Sequence, residues 1–209
     1  TIFVSDVPVG ALDALSSGPT MPDRSTTDDA YRIAEHSELA HSLPEQLAPL
    51  LASRSLVETP KTGDVIFDRS LWTVLLDSAW LEQAAAARAR ALGWHVKIDN
   101  TCDDWEYRAA AKYLLDRLRT LRCQHSHACL ISTGEVSVSL PANTADHNST
   151  GIGGRNQQFA LYAATLLTPA DGAVAILSAG SDGIDGNSSA AGAVIDENSI
   201  GTEPASRST

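Results

Sequence analysis

The stretch WTVLLDSAWLEQAAAARARALGWHVKID, Trp72 to Asp99, decides the fold. WTVLLD is a short apolar run with β-branched residues, which predicts a strand. Ser78 then supplies a side-chain oxygen at a helix start, the alanine-rich run through Leu92 favours helix, and Gly93 is the residue type that ends one. HVKID follows as a second strand. Strand, helix and strand at this spacing form a βαβ unit, in which a right-handed crossover leaves the strands parallel.

Working outward toward the C-terminus, Asp103 or Asp104 is the expected cap of a helix whose apolar side runs Trp105, Ala109, Tyr113, Leu114, Leu118 and Leu121, near a 3.6-residue period. ACLIST completes βαβαβ. After Gly134 the texture changes: EVSVSL alternates like a half-exposed strand, PANTADHNSTGIGG is a polar loop, and RNQQFALYAATLL reads as a helix. AVAILSA reads as a strand, GSDGIDGNSS as a loop, and AAGAVID as a small-residue segment. Toward the N-terminus, TIFVSDV reads as a strand and SSGPTMPD as a loop. Thr27 or Asp28 is placed to cap a helix through about Leu39, and Pro44 to start another in PEQLAPLL. The expected fold is α/β: a Rossmann-like α/β/α layer on a parallel sheet over residues 1–125, and part of a second, smaller α/β domain over 126–209.

The 209 residues, 43% hydrophobic, suffice for one large domain or parts of two. With 15 Lys plus Arg against 26 Asp plus Glu, the net charge of −11 argues against nucleic acid or an anionic membrane as partner. No apolar run approaches the roughly 18 to 20 residues of a membrane span. The three cysteines form no closed disulfide set and suit a reducing, cytoplasmic setting. TIFVSDV has no initiator Met and the chain stops in a loop, so it reads as a piece of a longer protein, and organellar targeting stays open. CQHSHAC spaces two Cys and two His at alternate positions, but an extended segment spreads them over roughly 20 Å, too far for one tetrahedral zinc.

Three loops carry candidate chemistry. In GIGGRNQQ, Gly153 and Gly154 let backbone approach a ligand, and the unpaired N–H groups of the helix that follows favour an anion. Arg155 adds a permanently charged fork, and Asn156 and Gln157 add neutral donors. In GSDGIDGNSS, Asp182 and Asp185 follow a strand, where they could hold Mg²⁺ or accept a hydroxyl proton. In SDVPVGALDALSSGPT, Asp6, Ser17, Gly18 and Thr20 offer small hydrogen-bonding groups. The alternative for each loop is a plain turn bonding its own backbone. No G-x-x-x-x-G-K-[ST] is present, and GIGGRN lacks the third glycine of the dinucleotide fingerprint.

Together, SDV with SSGPTMPD, GGRNQQFAL, and SDGIDGNSSAAGAVID, in this order and spacing, resemble the glycerate 2-kinase family with its C-terminal MOFRL domain, some members of which are labelled hydroxypyruvate reductase. STGEVSV is similar to the family's Gly-Glu strand, at Gly134 and Glu135. The resemblance implies ATP-dependent phosphorylation of D-glycerate to 2-phosphoglycerate with Mg²⁺, in a cleft between two α/β domains. It also implies a longer parent, about twice this length, whose N-terminal part carries a catalytic lysine and a glycine-rich segment. On this reading Arg155, Asp182 and Asp185 are catalytic, the two aspartates also serving Mg²⁺. Asp6, Ser17, Gly18, Thr20, Glu135, Gly153, Gly154, Asn156 and Gln157 line the substrate and nucleotide site. Gln158 stands where an acidic residue is usual. The competing readings are NAD(P)H-dependent reduction of hydroxypyruvate and a non-catalytic, truncated ligand-binding product.

Overall fold

The computed structural model describes residues 13, 21–37, 43–139 and 151–200. The chain divides into two compact units, residues 1–75 and 76–209. The expected N-terminal strand lies outside the described residues, as do Asp6, Ser17, Gly18 and Thr20.

In the first unit, helix α1 (Thr27–His36) starts one residue earlier than expected. Thr26 is its cap, and a reciprocal pair with Asp29 satisfies both N–H groups. Helix α2 (Ala48–Ala52) is shorter than PEQLAPLL suggests. The reason is Pro49: a helix begun at Pro44 would put a residue without an N–H in its interior, so the chain turns at Pro44 and the helix starts where Pro49 falls in the first turn.

The second unit holds the βαβ unit, shifted by one strand. Helix α3 (Ser78–Ala91) is capped by Asp77, whose side chain accepts from the Trp80 N–H at 3.0 Å. Strand β1 (His95–Ile98) then leads through helix α4 (Tyr107–Arg122) to strand β2 (Ala128–Ile131). The two strands are parallel, with His95 opposite Ala128 and Ile98 opposite Ile131. WTVLLD forms no strand among the described residues, and Leu71, Leu75 and Leu76 are exposed. Apolar β-branched composition supplies propensity only. A strand also needs a pairing partner, and among the described residues this segment has none.

EVSVSL departs in the same way. Val136 and Val138 do pack inward on the core, as their alternation predicts. The ladder is limited to one bridge, Ser137 with Glu106, because the partner strand becomes helix α4 at Tyr107. Glu106, and neither Asp103 nor Asp104, caps α4, its carboxylate accepting from the N–H groups of Arg108 and Ala109.

Helix α5 (Arg155–Leu166) lies where expected and packs against α4 on one side. On the other it meets the antiparallel pair of strand β3 (Ala175–Ala179) and strand β4 (Gly192–Asp196). Small side chains make the close approach: Ala110, Ala111 and Ala163 are essentially inaccessible, with Tyr107 and Phe159 filling the gap, while Ala160 is buried with Ile195 of β4. One ion pair fastens the far end of the two helices. Arg119 on α4 grips Asp171 through Nε at 2.6 Å and Nη2 at 2.8 Å, and Nη2 also donates to the Leu166 carbonyl at 3.1 Å. Thr168 donates to the same carboxylate through N–H and hydroxyl. The Arg119 hydrogen bonds hold the Asp171 carboxyl far below the usual carboxylate range, against the upward push of burial.

A carboxylate so bound stabilises the fold only while ionised. Its contribution is complete above the unfolded value near 4 and is lost as pH falls through the lower folded value. Asp171→Ala should cost about 1–3 kcal/mol at neutral pH, since it removes a buried acceptor shared by Arg119 and Thr168 and leaves Arg119 only Asp116 and the Leu166 carbonyl. Urea unfolding should show this, and Arg119→Ala added to it should cost much less than its own single-variant loss. Additive losses would mean the pair is not the clamp.

Candidate functional site

The loop before α5 and the loop between β3 and β4 are laced together. Asp185, 2% exposed, sits against the first turn of α5. It accepts from the Asn156 N–H at 3.0 Å and side-chain amide at 3.2 Å, and from the Gln157 N–H at 2.8 Å. Gly154, the residue before the helix, has no side chain to cap with. Asp185 does that work from a distant point of the chain, and the positive end of the helix rewards its charge. Burial pushes the Asp185 carboxyl up, but the Gln157 and Asn156 donors outweigh it and leave it below its ordinary value.

Three of the expected site features meet in this arrangement. The anion expected at the N-terminus of α5 is supplied by the protein itself. Asp185, expected as base or Mg²⁺ ligand, caps the helix through three accepted hydrogen bonds. The glycines serve packing: a Cβ on Gly154 would run into the Asp185 carboxylate, and one on Gly186 into the Gly153 carbonyl. Gly186 also lies at φ +62. Asn187 completes the lacing, its side chain accepting from the Gly153 N–H at 2.8 Å and donating to the Gly151 carbonyl at 3.3 Å. Asn156 accepts from the Ser178 hydroxyl on β3 at 2.7 Å, and Gln157 donates to Ser188 at 2.6 Å.

Asp182 is exposed, and one of its oxygens accepts from the Ile184 N–H at 3.1 Å. Among the described residues no hydrogen bond or ion pair joins Arg155 to Asp182 or Asp185. No group of three or more His, Cys, Asp or Glu side chains is arranged to hold a metal there either. Arg155 turns instead to Glu135, Nη1 to Oε2 at 2.7 Å, bringing the Gly-Glu segment after β2 to the start of α5. Of the residues chosen from sequence, the structure thus joins Arg155 with Glu135 in one contact. It joins Asn156 and Gln157 with Asp185 in another, with Gly154 packed against that carboxylate and Gly153 bonded to Asn187.

Sequence reasoning missed Asp103, read there as a helix cap. It also missed Glu82, buried on α3, which accepts from Asn100 at 2.7 Å and Thr133 at 3.1 Å. Asn100 accepts in turn from the Thr133 N–H at 2.8 Å. This network ties together the carboxyl ends of β1 and β2, the edge where α/β sheets place ligands. The signal was thin: one glutamate in an alanine-rich helix, at a position the period assigns to the sheet-facing side.

Residues 128–208 match the MOFRL family, and residues 1–52 match a domain of unknown function (DUF4147). A D-glycerate 2-kinase of Thermotoga maritima is 32% identical over 199 residues, covering 93% of this chain and 43% of the relative. The resemblance to the glycerate 2-kinase family is borne out. The crystal structure of a glycerate kinase from Thermotoga maritima superposes with a TM-score of 0.68 at 31% identity, over 91% of this chain and 43% of that one. A protein of Agrobacterium vitis, provisionally named hydroxypyruvate reductase, is 35% identical over 96% of this chain and 44% of its own. The chain therefore spans less than half the length of these glycerate kinase relatives, and the α/β class expected from sequence holds.

If Asp185 is the cap of α5, Asp185→Ala should lower stability by about 1–3 kcal/mol at pH 7, the range for a lost cap and orphaned buried donors. Since the carboxyl is more acidic folded than unfolded, that margin should shrink as pH falls below about 4. Parallel stability curves for Asp185→Ala and the unaltered chain from pH 7 to 3 would contradict the assignment.

Proposed function

We propose that this chain is part of an ATP-dependent kinase that phosphorylates the 2-hydroxyl of D-glycerate, the activity being that of a longer protein. The observation that carries the reading is Arg155: an exposed guanidinium at the head of α5, held at the carboxyl edge of the parallel strands by Glu135. The similarity to a D-glycerate 2-kinase along 93% of the chain supports it. Residues 1–125 then read as the C-terminal portion of the Rossmann-like kinase domain, and 126–209 as an incomplete MOFRL-type domain.

Phosphoryl transfer demands positioning and charge neutralisation more than covalent chemistry from the protein. The 2-hydroxyl oxygen bonds to the γ-phosphorus as its bond to the bridging oxygen breaks; ADP leaves with that electron pair, and the hydroxyl proton departs to a base. Arg155 offsets the negative charge on the moving phosphoryl oxygens or clamps the glycerate carboxylate. Asp182 has one oxygen without a partner among the described residues and is the residue here suited to Mg²⁺, which takes one or two carboxylates plus phosphate oxygens. Bound there, the ion would neutralise nucleotide phosphate charge. Asp6, Ser17, Gly18 and Thr20 remain proposed cleft residues from the family resemblance.

The name carried by the Agrobacterium vitis relative favours a second reading, hydride transfer to hydroxypyruvate. In the full-length parent, product formation from D-glycerate should require ATP, and NADH should not be consumed with hydroxypyruvate. Arg155→Ala should lower kcat/KM by about 10²–10³, or about 3–4 kcal/mol, as for a lost transition-state donor. Unchanged turnover would remove Arg155 from the chemistry, and NADH consumption would move the assignment to the reductase.

A further inference from the structure

The Glu135–Arg155 contact is held far more elaborately than its stability warrants. Both side chains are about half exposed, 59% and 48%, and exposed ion pairs contribute roughly 0–1 kcal/mol. Yet the backbone of Glu135 is fixed from both sides. Its N–H donates to the Asp103 carboxylate at 2.9 Å, and its carbonyl accepts from the Asp104 N–H at 2.8 Å. Asp104 adopts φ +63, an uncommon conformation for a residue with a side chain. Gly134 adopts φ +104, and a Cβ there would collide with the Asp103 carboxylate. Two loops, from the ends of β1 and β2, are shaped by Asp104 and Gly134 at positive φ, and there one exposed carboxylate stands opposite one exposed guanidinium.

Which corner of the guanidinium is held matters. Glu135 takes Nη1, and no other hydrogen bond to Arg155 is present among the described residues, so the edge formed by Nε–H and Nη2–H is open. That same edge of Arg119 grips both oxygens of Asp171 elsewhere in this chain, at 2.6 and 2.8 Å. We infer that Glu135, pinned by Asp103, is a positioning residue that holds the Nη1 corner of Arg155 and so presents its Nε/Nη2 edge to two oxygens of a bound oxyanion. The inference rests on the reading of Arg155 as the anion clamp. It names the ligand chemistry as a phosphoryl or carboxylate group with two oxygens on one side.

Simple electrostatics predicts the opposite effect, because removing Glu135 removes a negative charge beside an anion site and should tighten anion binding. The test uses the ¹⁵N-labelled full-length parent, titrated separately with inorganic phosphate and with D-glycerate while the Arg155 Nε–H resonance is followed. At least one of the two should shift that resonance saturably, and which one does so identifies the group clamped. Glu135→Ala should weaken that affinity about tenfold, a loss of the order expected when a positioned group is freed. Glu135→Gln, which keeps an acceptor oxygen, should lose less. Circular dichroism and melting temperature should stay unchanged in both, as for an exposed pair. Equal or tighter binding in Glu135→Ala, or no response of Arg155 in the unaltered chain, would overturn the inference. Weaker binding in Glu135→Ala, together with unchanged turnover of Arg155→Ala in the parent, would instead keep the positioning role and discard the kinase reading.

Discussion

Everything at the head of α5 depends on one buried carboxylate meeting the orphan N–H groups of a helix. Asp185 lies on the β3–β4 loop, and its charge is tolerated out of water because α5 directs donors and the positive end of its dipole at it. That interaction fastens the second loop to the first and requires Gly154 and Gly186 where they pass. The helix it caps begins at Arg155, which meets Glu135 just after β2. Internal use of the helix N-terminus and presentation of the arginine are two results of one cap.

The packing behind this site has a different character. α4 and α5 approach through alanines, with Tyr107 and Phe159 between them, so the contact is close and tolerant of few substitutions. Arg119 and Asp171 close the opposite end of the same helix pair. One end of α5 is therefore secured by a cap and the other by an ion pair. Between them the helix carries the antiparallel β3–β4 pair on one flank and the α4 unit on the other. Glu135, on the loop after β2, and Arg155, the first residue of α5, are thus both attached to packed elements, as precise placement of a binding group requires.

Helices were legible wherever composition and period agreed. α3, α4 and α5 fall where the alanine-rich run, the apolar stripe and RNQQFALYAATLL place them. Caps were less legible because several side chains compete for each start: Asp77, Thr26 and Glu106 took the positions, while Asp103 went to Glu135. Strand existence failed where pairing failed, in WTVLLD and EVSVSL. Of the candidate site, Arg155 and the glycine loop stood out for their residue types. The destination of Asp185 did not, because a carboxylate among glycines looks the same whether it awaits a metal or caps a helix 29 residues away in sequence.

The places of the three long helices α3, α4 and α5, the α/β class and the resemblance to glycerate 2-kinases were determined by sequence alone, because they rest on local periodicity and on motifs read in line. Tertiary structure alone decided which acidic residue each donor meets: Asp185 with α5, Asp171 with Arg119, Glu135 with Arg155. The physical reason is that hydrogen bonds and ion pairs act over about 3 Å, so a partner is chosen by the path of the backbone in space and by no feature of the residues as a string.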